Sequence, residues 1–280
     1  MISVRSVLFV ALDILREALA RRWVLALGVA LTLIHLGIGL GLRLDLVNGA
    51  LAATRLFGQS LDTDLRSADS VLRQVIEAAT YTVYYAGLAF GVLACSDFGP
   101  ELLAPGRIEH LLSLPIRRIE LLCGTFLGVL GLCIAGTTYG AGGFFLILGA
   151  KSSVWSWRPF CAVYLAGVAF FAIYACMLCA AVFVRSAAAS AAAGGAIFFL
   201  GILAKQRDEI AALFEAGPSR SLFSTLSAPL PRVAELADLA AAIAVGEPVS
   251  GALARLMFGT LAFGLAALGV AAWRFEGKDF

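Results

Sequence analysis

Cys176 and Cys179 stand three residues apart with Met177 between them, a spacing that puts two thiols on one helix face, where a soft cation such as Cu(I) finds sulfur ligands. Both lie in an apolar run, however, where cysteine usually acts as a small packing residue, and packing is the simpler reading. Cys95, Cys123, Cys133 and Cys161 also fall in or beside apolar runs, so the cysteines fix no redox compartment. His35 sits mid-run; an ionisable group there either lines a pathway or stays neutral and bonds a neighbouring helix, and the second reading is preferred. Lys151, Lys205 and Lys278 all lack the G-x-x-x-x-G-K-[ST] context of a phosphate loop. No H-E-x-x-H, nucleophile elbow or pair of intramembrane aspartates is present either. The expectation is a chain that is not an enzyme and holds no metal or cofactor of its own.

The elements that carry these residues follow from composition. The chain has 280 residues, 61% hydrophobic and only 14% charged, against about 25% charged in an average soluble domain. Crossing a bilayer takes roughly 20 apolar residues. Six runs qualify: Trp23 to Leu42, Ala78 to Ser96, Leu121 to Ala150, Pro159 to Val184, Ser186 to Ala204, and Leu256 to Trp273, the last extended by residues before Arg255, which can snorkel. The expected fold is therefore all-α, one polytopic bundle of six transmembrane helices over residues 1–280, with external segments at 43–77 and 205–250. The long polar leader and the lack of a small-residue cleavage site argue against a cleaved signal peptide. A net charge of +2 with no basic stripe excludes a nucleic-acid partner.

Six spans place both termini on one side. Arg16, Arg21, Arg22, Arg117, Arg118, Arg185, Arg274 and Lys278 all flank spans on that side, which carries ten Lys or Arg in about 55 residues, against ten in about 90 opposite. The positive-inside bias makes it the cytoplasm. Arginine outnumbers lysine 18 to 3 and alanine is abundant, the codon signature of a GC-rich bacterial gene, so a bacterial inner membrane is expected. Trp23, Trp155, Trp157, Trp273 and the Tyr81, Tyr84, Tyr85 cluster stand near span ends, as interfacial belts require. Within residues 1–22, Val4, Val7, Leu8, Leu15 and Leu19 recur at helical spacing among Arg5, Asp13, Arg16 and Glu17, which reads as a helix lying on lipid, with a continuation of span one as the alternative. In the second external segment two helical patterns flank a breaker at Ser227 to Pro231.

The 96–120 connection between spans two and three is longer than a turn needs. Pro105 and Gly106 open a short stretch that Pro115 closes. Inside it Ile108, Leu111 and Leu112 share one face, while Arg107, Glu109, His110 and Ser113 occupy the rest: a short amphipathic helix.

The run GRIEHLLSLPIRRIELLCGTFLG, Gly106 to Gly128, resembles the cytoplasmic loop of type-2 ABC exporter permeases at Gly106, Glu109, Leu111, Leu112, Ser113, Pro115, Arg118, Gly124 and Gly128. It departs from that pattern at Arg107, where a threonine is common, and at Thr125, where a lysine is usual. The leader run Arg16 to Leu19, the Pro229 to Pro231 breaker, the Gly246-Glu-Pro-Val-Ser segment and the Lys278-Asp-Phe terminus are similar to the multi-copper enzyme maturation permeases within that family. The resemblance implies a permease subunit that forms the substrate pathway as a dimer with a second permease copy. It also implies a separate cytoplasmic ABC ATPase that binds ATP and docks on the loop. The ATPase-coupling residues it implies are Gly106, Arg107, Ile108, Glu109, Leu111, Leu112, Pro115 and Arg118.

Gly124, Gly128 and Gly131 line one side of span three, the small-residue geometry that lets helices approach closely; packing within one subunit is favoured over a dimer seam. Among rival functions, proton-coupled transport needs acidic groups inside spans, and these six have none. A membrane scaffold or assembly factor is the surviving alternative, disfavoured because it has no use for a proline-bracketed amphipathic helix.

Overall fold

The structure, a computed structural model, describes residues 3–47, 50–56, 59–60, 68–152, 155–213, 217–249 and 251–278. Among the described residues six helical stretches are long and apolar enough to cross a membrane: Arg22–Gly41, Arg73–Leu102, Arg118–Ser152, Arg158–Val184, Ala187–Ala212 and Ala252–Glu276. They coincide with the six apolar runs, and, one small sheet between the first two spans apart, the protein is an all-α, multi-pass membrane bundle.

In chain order the elements are α1 (Val4–Ala20), α2 (Arg22–Gly41), a three-stranded antiparallel sheet β1 (Leu42–Val47), β2 (Ala50–Leu56) and β3 (Gln59–Ser60), then α3 (Ala68–Ala94), α4 (Phe98–Leu102), α5 (Arg107–Ser113), α6 (Arg118–Ser152), α7 (Arg158–Ala162), α8 (Leu165–Val184), α9 (Ala187–Leu203), α10 (Arg207–Ala212), α11 (Pro218–Ser227), α12 (Val233–Val245) and α13 (Ala252–Glu276). The sheet was not expected from the span reading. Its signal is the alternation Leu42-Arg-Leu-Asp-Leu46, the period of a strand rather than of a helix. Part of the polar run between Gln59 and Gln74 lies outside the described residues, and α3 begins ten residues before the apolar run does.

The core is built around α8. Ala169, Phe170, Ala172, Ile173, Ala175, Met177, Ala181 and Val182 are fully buried, and α8 packs against α3, α6, α9, α12 and α13. Phe126 of α6 and Phe170 of α8 stack on Tyr174 with centroid separations of 5.7 and 5.8 Å. By contrast α2 buries no residue. It leans on α6 through a 2.6 Å hydrogen bond shared by Thr32 and Tyr139 and through His35, whose Nε2 donates to the Gly140 carbonyl at 2.9 Å.

At the end of the bundle away from the termini, α12 is an integral part of the core rather than a surface helix. Val233, Leu236, Ala237 and Ala240 are at most 1% exposed. Tyr84 donates a 3.0 Å hydrogen bond to the Val233 carbonyl, and Tyr81 donates to Asp238, also at 3.0 Å. Tyr84 therefore does not belong to an aromatic belt. It is fully buried, because its hydroxyl finds a protein acceptor and needs no headgroup. Trp155, Trp157 and Trp273 remain exposed, as belt residues must be.

Candidate functional site

The leader and span one are separate helices. Arg21, with extended backbone at φ −75° and ψ 127°, breaks the chain between α1 and α2. Around its circumference α1 has three sectors. Val7, Val10, Ala11, Ile14 and Ala18 are buried. Val4, Leu8, Leu12 and Leu19 form an exposed apolar stripe, and Arg5, Asp13 and Arg16 are exposed on the polar side. Sequence periodicity had merged the first two sectors into one.

The buried sector meets the glycines of α6. A Cβ on Gly124 would stand 2.5 Å from Val10 Cβ and 2.9 Å from the Val7 carbonyl; on Gly128 it would stand 2.8 Å from Ile14 Cβ and 2.9 Å from the Ala11 carbonyl. Only glycine admits so close an approach of two helix backbones. Gly131 is looser, with Leu15 at 3.7 Å. Glu120 fastens the start of this seam, its carboxylate accepting from the backbone N–H of Ser3 at 2.6 Å and of Arg117 at 3.1 Å.

The other end of α1 is fastened by charge. The Arg21 guanidinium donates to Glu17 at 2.8 Å, to Asp97 at 2.7 Å and to Glu101, and it lies 4.3 Å from the centroid of the Phe98 ring. Glu17 also accepts two hydrogen bonds from Arg107, at 3.0 and 2.5 Å. The paired Arg107, reinforced by Arg21, outweighs partial burial and holds the Glu17 carboxyl down to about 2, while its hydrogen bond to Glu17 moves Arg107 upward. Leader, α4 and α5 thus converge on one half-buried charge cluster.

The residues singled out by sequence divide around it. Gly106 is the N-cap of α5 at φ +81°, a backbone conformation that favours glycine. Arg107 joins the cluster, Ile108 is buried as the anchor of α5, and Leu111 is half-buried. Leu112 is helical, and its side chain lies outside the described residues. Glu109, His110, Ser113, Leu114 and Pro115 are exposed, leaving one face of α5 open. Arg118 is turned away from this face. Its guanidinium donates to the carbonyls of Glu276 at 3.0 Å and Lys278 at 2.5 Å, closing the C-terminal end of α13. Lys278 in turn donates to the Val182 carbonyl at 2.6 Å, at the end of α8.

Glu17 and Arg21 entered the sequence reading only as charges of the leader, and Asp97 and Glu101 not at all. Glu17 and Arg21 are four residues apart, as are Asp97 and Glu101, which is a signal for side chains on one face but not for which faces meet. Among the described residues no group of three or more His, Cys, Asp or Glu is gathered as a metal site.

The described residues thus form a multi-pass helical bundle with a short helix, α5, held between its second and third spans. Residues 10–280 match the family described as ABC-2 family transporter protein, and the chain belongs to that family. It is accordingly a membrane permease component of an ABC transporter, a transport subunit rather than a catalytic enzyme. No curated protein matches the chain.

Proposed function

We propose that the chain is the permease of an ABC exporter, working as a dimer in a bacterial inner membrane with both termini in the cytoplasm and a separate ATPase docked on α5. The observation that carries this reading is the mounting of α5. Buried Ile108 and the Arg107–Glu17 pair hold its inner side, while Glu109, His110, Ser113 and Leu114 stay open to a partner. The residues outside that face, Gly106 and Pro115, set its two ends, and Arg118 secures the neighbouring helix end. The whole chain then serves as one membrane domain. The exposed stripe Val4, Leu8, Leu12 and Leu19 suits contact with the lipids of the inner leaflet. The leader and C-terminal motifs support the narrower multi-copper enzyme maturation grouping, and ATP is handled by the partner.

In this reading, closure of the ATPase around nucleotide displaces α5, and the bundle converts that displacement into a rigid-body change of the pathway. Co-purification from native membranes in mild detergent, followed by mass spectrometry and an ATPase assay, tests it. The expected result is a Walker-motif subunit with vanadate-sensitive activity, released by replacing Leu111 and Leu112 with Asp. A solitary chain without ATPase would instead favour a scaffold.

A further inference from the structure

We propose that Glu17 is a positioning residue for energy coupling, joining α5 to α1 so that movement of the docking helix is delivered to α6 through the leader as well as through the chain. The inference rests on the reading of α5 as the ATPase contact and deepens it.

Besides the buried Ile108 and the chain link back to α4, two routes lead from α5 to α6. The covalent one runs through residues 114–117, which are not helical; Leu114 is extended at φ −77° and ψ 153°. A non-helical link of this kind transmits a pull better than a push or a rotation. The second route leaves from the first residue of α5, where Arg107 holds Glu17 with two hydrogen bonds. Beyond Glu17 the path is stiff. α1 and α6 meet backbone to backbone at Gly124 and Gly128, and the Glu120 carboxylate grips the Ser3 N–H, so the two helices move as one body. Arg21 completes the geometry. It holds Glu17 on one side and Asp97 and Glu101 on the other, so both flanks of the α4–α5 loop are referred to the same side chain. Such paired charges, partly withdrawn from water, keep a defined geometry yet exchange partners at small cost, which suits a joint that must turn.

The test uses the permease with its ATPase as recovered from native membranes. Hydrogen–deuterium exchange is followed with and without trapping by ATP and vanadate, in the wild type, in Glu17→Met and in Glu17→Asp. In the wild type, trapping is expected to change exchange in peptides from residues 96–115 and from residues 4–20 by about threefold or more. In Glu17→Met the loop response persists and the 4–20 response disappears; Glu17→Asp, which keeps the charge, restores it. A 4–20 response that survives in Glu17→Met overturns the proposal and leaves the docking reading intact. So does exchange in 4–20 already raised to its limit without nucleotide, which would make Glu17 only a structural tie. A wild-type loop with no response to trapping sinks the docking reading itself. Loss of the ATPase from Glu17→Met would place Glu17 in docking and overturn its role downstream of it.

Discussion

At one end of the bundle α12 is held by a dry interface of Val233, Leu236, Ala237 and Ala240 with two tyrosine hydrogen bonds, whereas at the other α5 is held by one buried isoleucine and a cluster of arginines and carboxylates. Both are short helices standing outside the six spans, yet they are mounted by different physics. Apolar packing is dense, and any rearrangement costs contact energy with no compensation. Ion pairs at partial exposure contribute little net stability and re-form with water or with a new partner at small cost. The first mounting suits a fixed part, and the second suits a part that moves.

The sharpest way to break this contrast is to attack the fixed end. Leu236 is fully buried, and Leu236→Ala is expected to lose about 2–5 kcal/mol, read as a lowered Tm in detergent together with new proteolysis between α9 and α12. An effect of that size from Glu109→Ala, on the open face of α5, would contradict the contrast. Next comes the seam that links the charge-mounted end to the bundle. In Gly128→Val the new side chain meets Ile14 Cβ and the Ala11 carbonyl, the latter being backbone that cannot rotate away. The expected cost is about 1–3 kcal/mol. Hydrogen exchange should locate it, accelerating residues 4–20 while leaving 233–245 unchanged.

How much of this was legible depended on whether the signal was one-dimensional. The six spans were, because length and hydropathy alone define them, and α11 and α12 flank the Ser227 to Pro231 breaker as the turn chemistry implies. The bracketing of α5 by Gly106 and Pro115 was legible for the same reason. The partners were not. Nothing local says that Arg107 faces Glu17, ninety residues earlier, or that Arg118 closes α13. The leader shows the limit best: its exposed stripe and its buried stripe are both apolar, so periodicity finds one broad face where packing makes two. Tyr84 fails for a related reason, since a tyrosine near a span end looks the same whether its hydroxyl meets a headgroup or the Val233 carbonyl.

That distinction gives a smaller prediction at the fixed end. Tyr84→Phe removes a buried donor and leaves the Val233 carbonyl without it, at an expected cost of about 1 kcal/mol. Tyr81→Phe should cost less, because Tyr81 is only half-buried and Asp238 keeps its 2.7 Å ion pair with Lys205. Thermal unfolding of the two variants side by side checks the order; a larger loss at Tyr81 would show that the Asp238 bond, not the dry interface, fastens α12.

The smallest effect belongs to the charge cluster, and its dependence on pH separates it from all the others. Glu17 has a carboxyl held at about 2 in the folded protein, below its ordinary value of 4.5, chiefly by Arg107. A carboxyl lowered in this way stabilises the fold wherever the unfolded chain would already be ionised, above 4.5. The contribution fades as pH falls from 4.5 toward 2, when the folded carboxyl also takes up its proton. The gap in Tm between wild type and Glu17→Gln, corresponding to about 0–1 kcal/mol for a partly exposed pair, should therefore be constant from pH 7 to about 5 and close as pH drops further. The Tyr84→Phe gap, which involves no group that ionises in this range, should stay flat throughout. A Glu17 gap that vanished already between pH 7 and 6 would mean that the Arg107 pair does not hold the carboxylate, and the contrast between the two mountings would lose its electrostatic half.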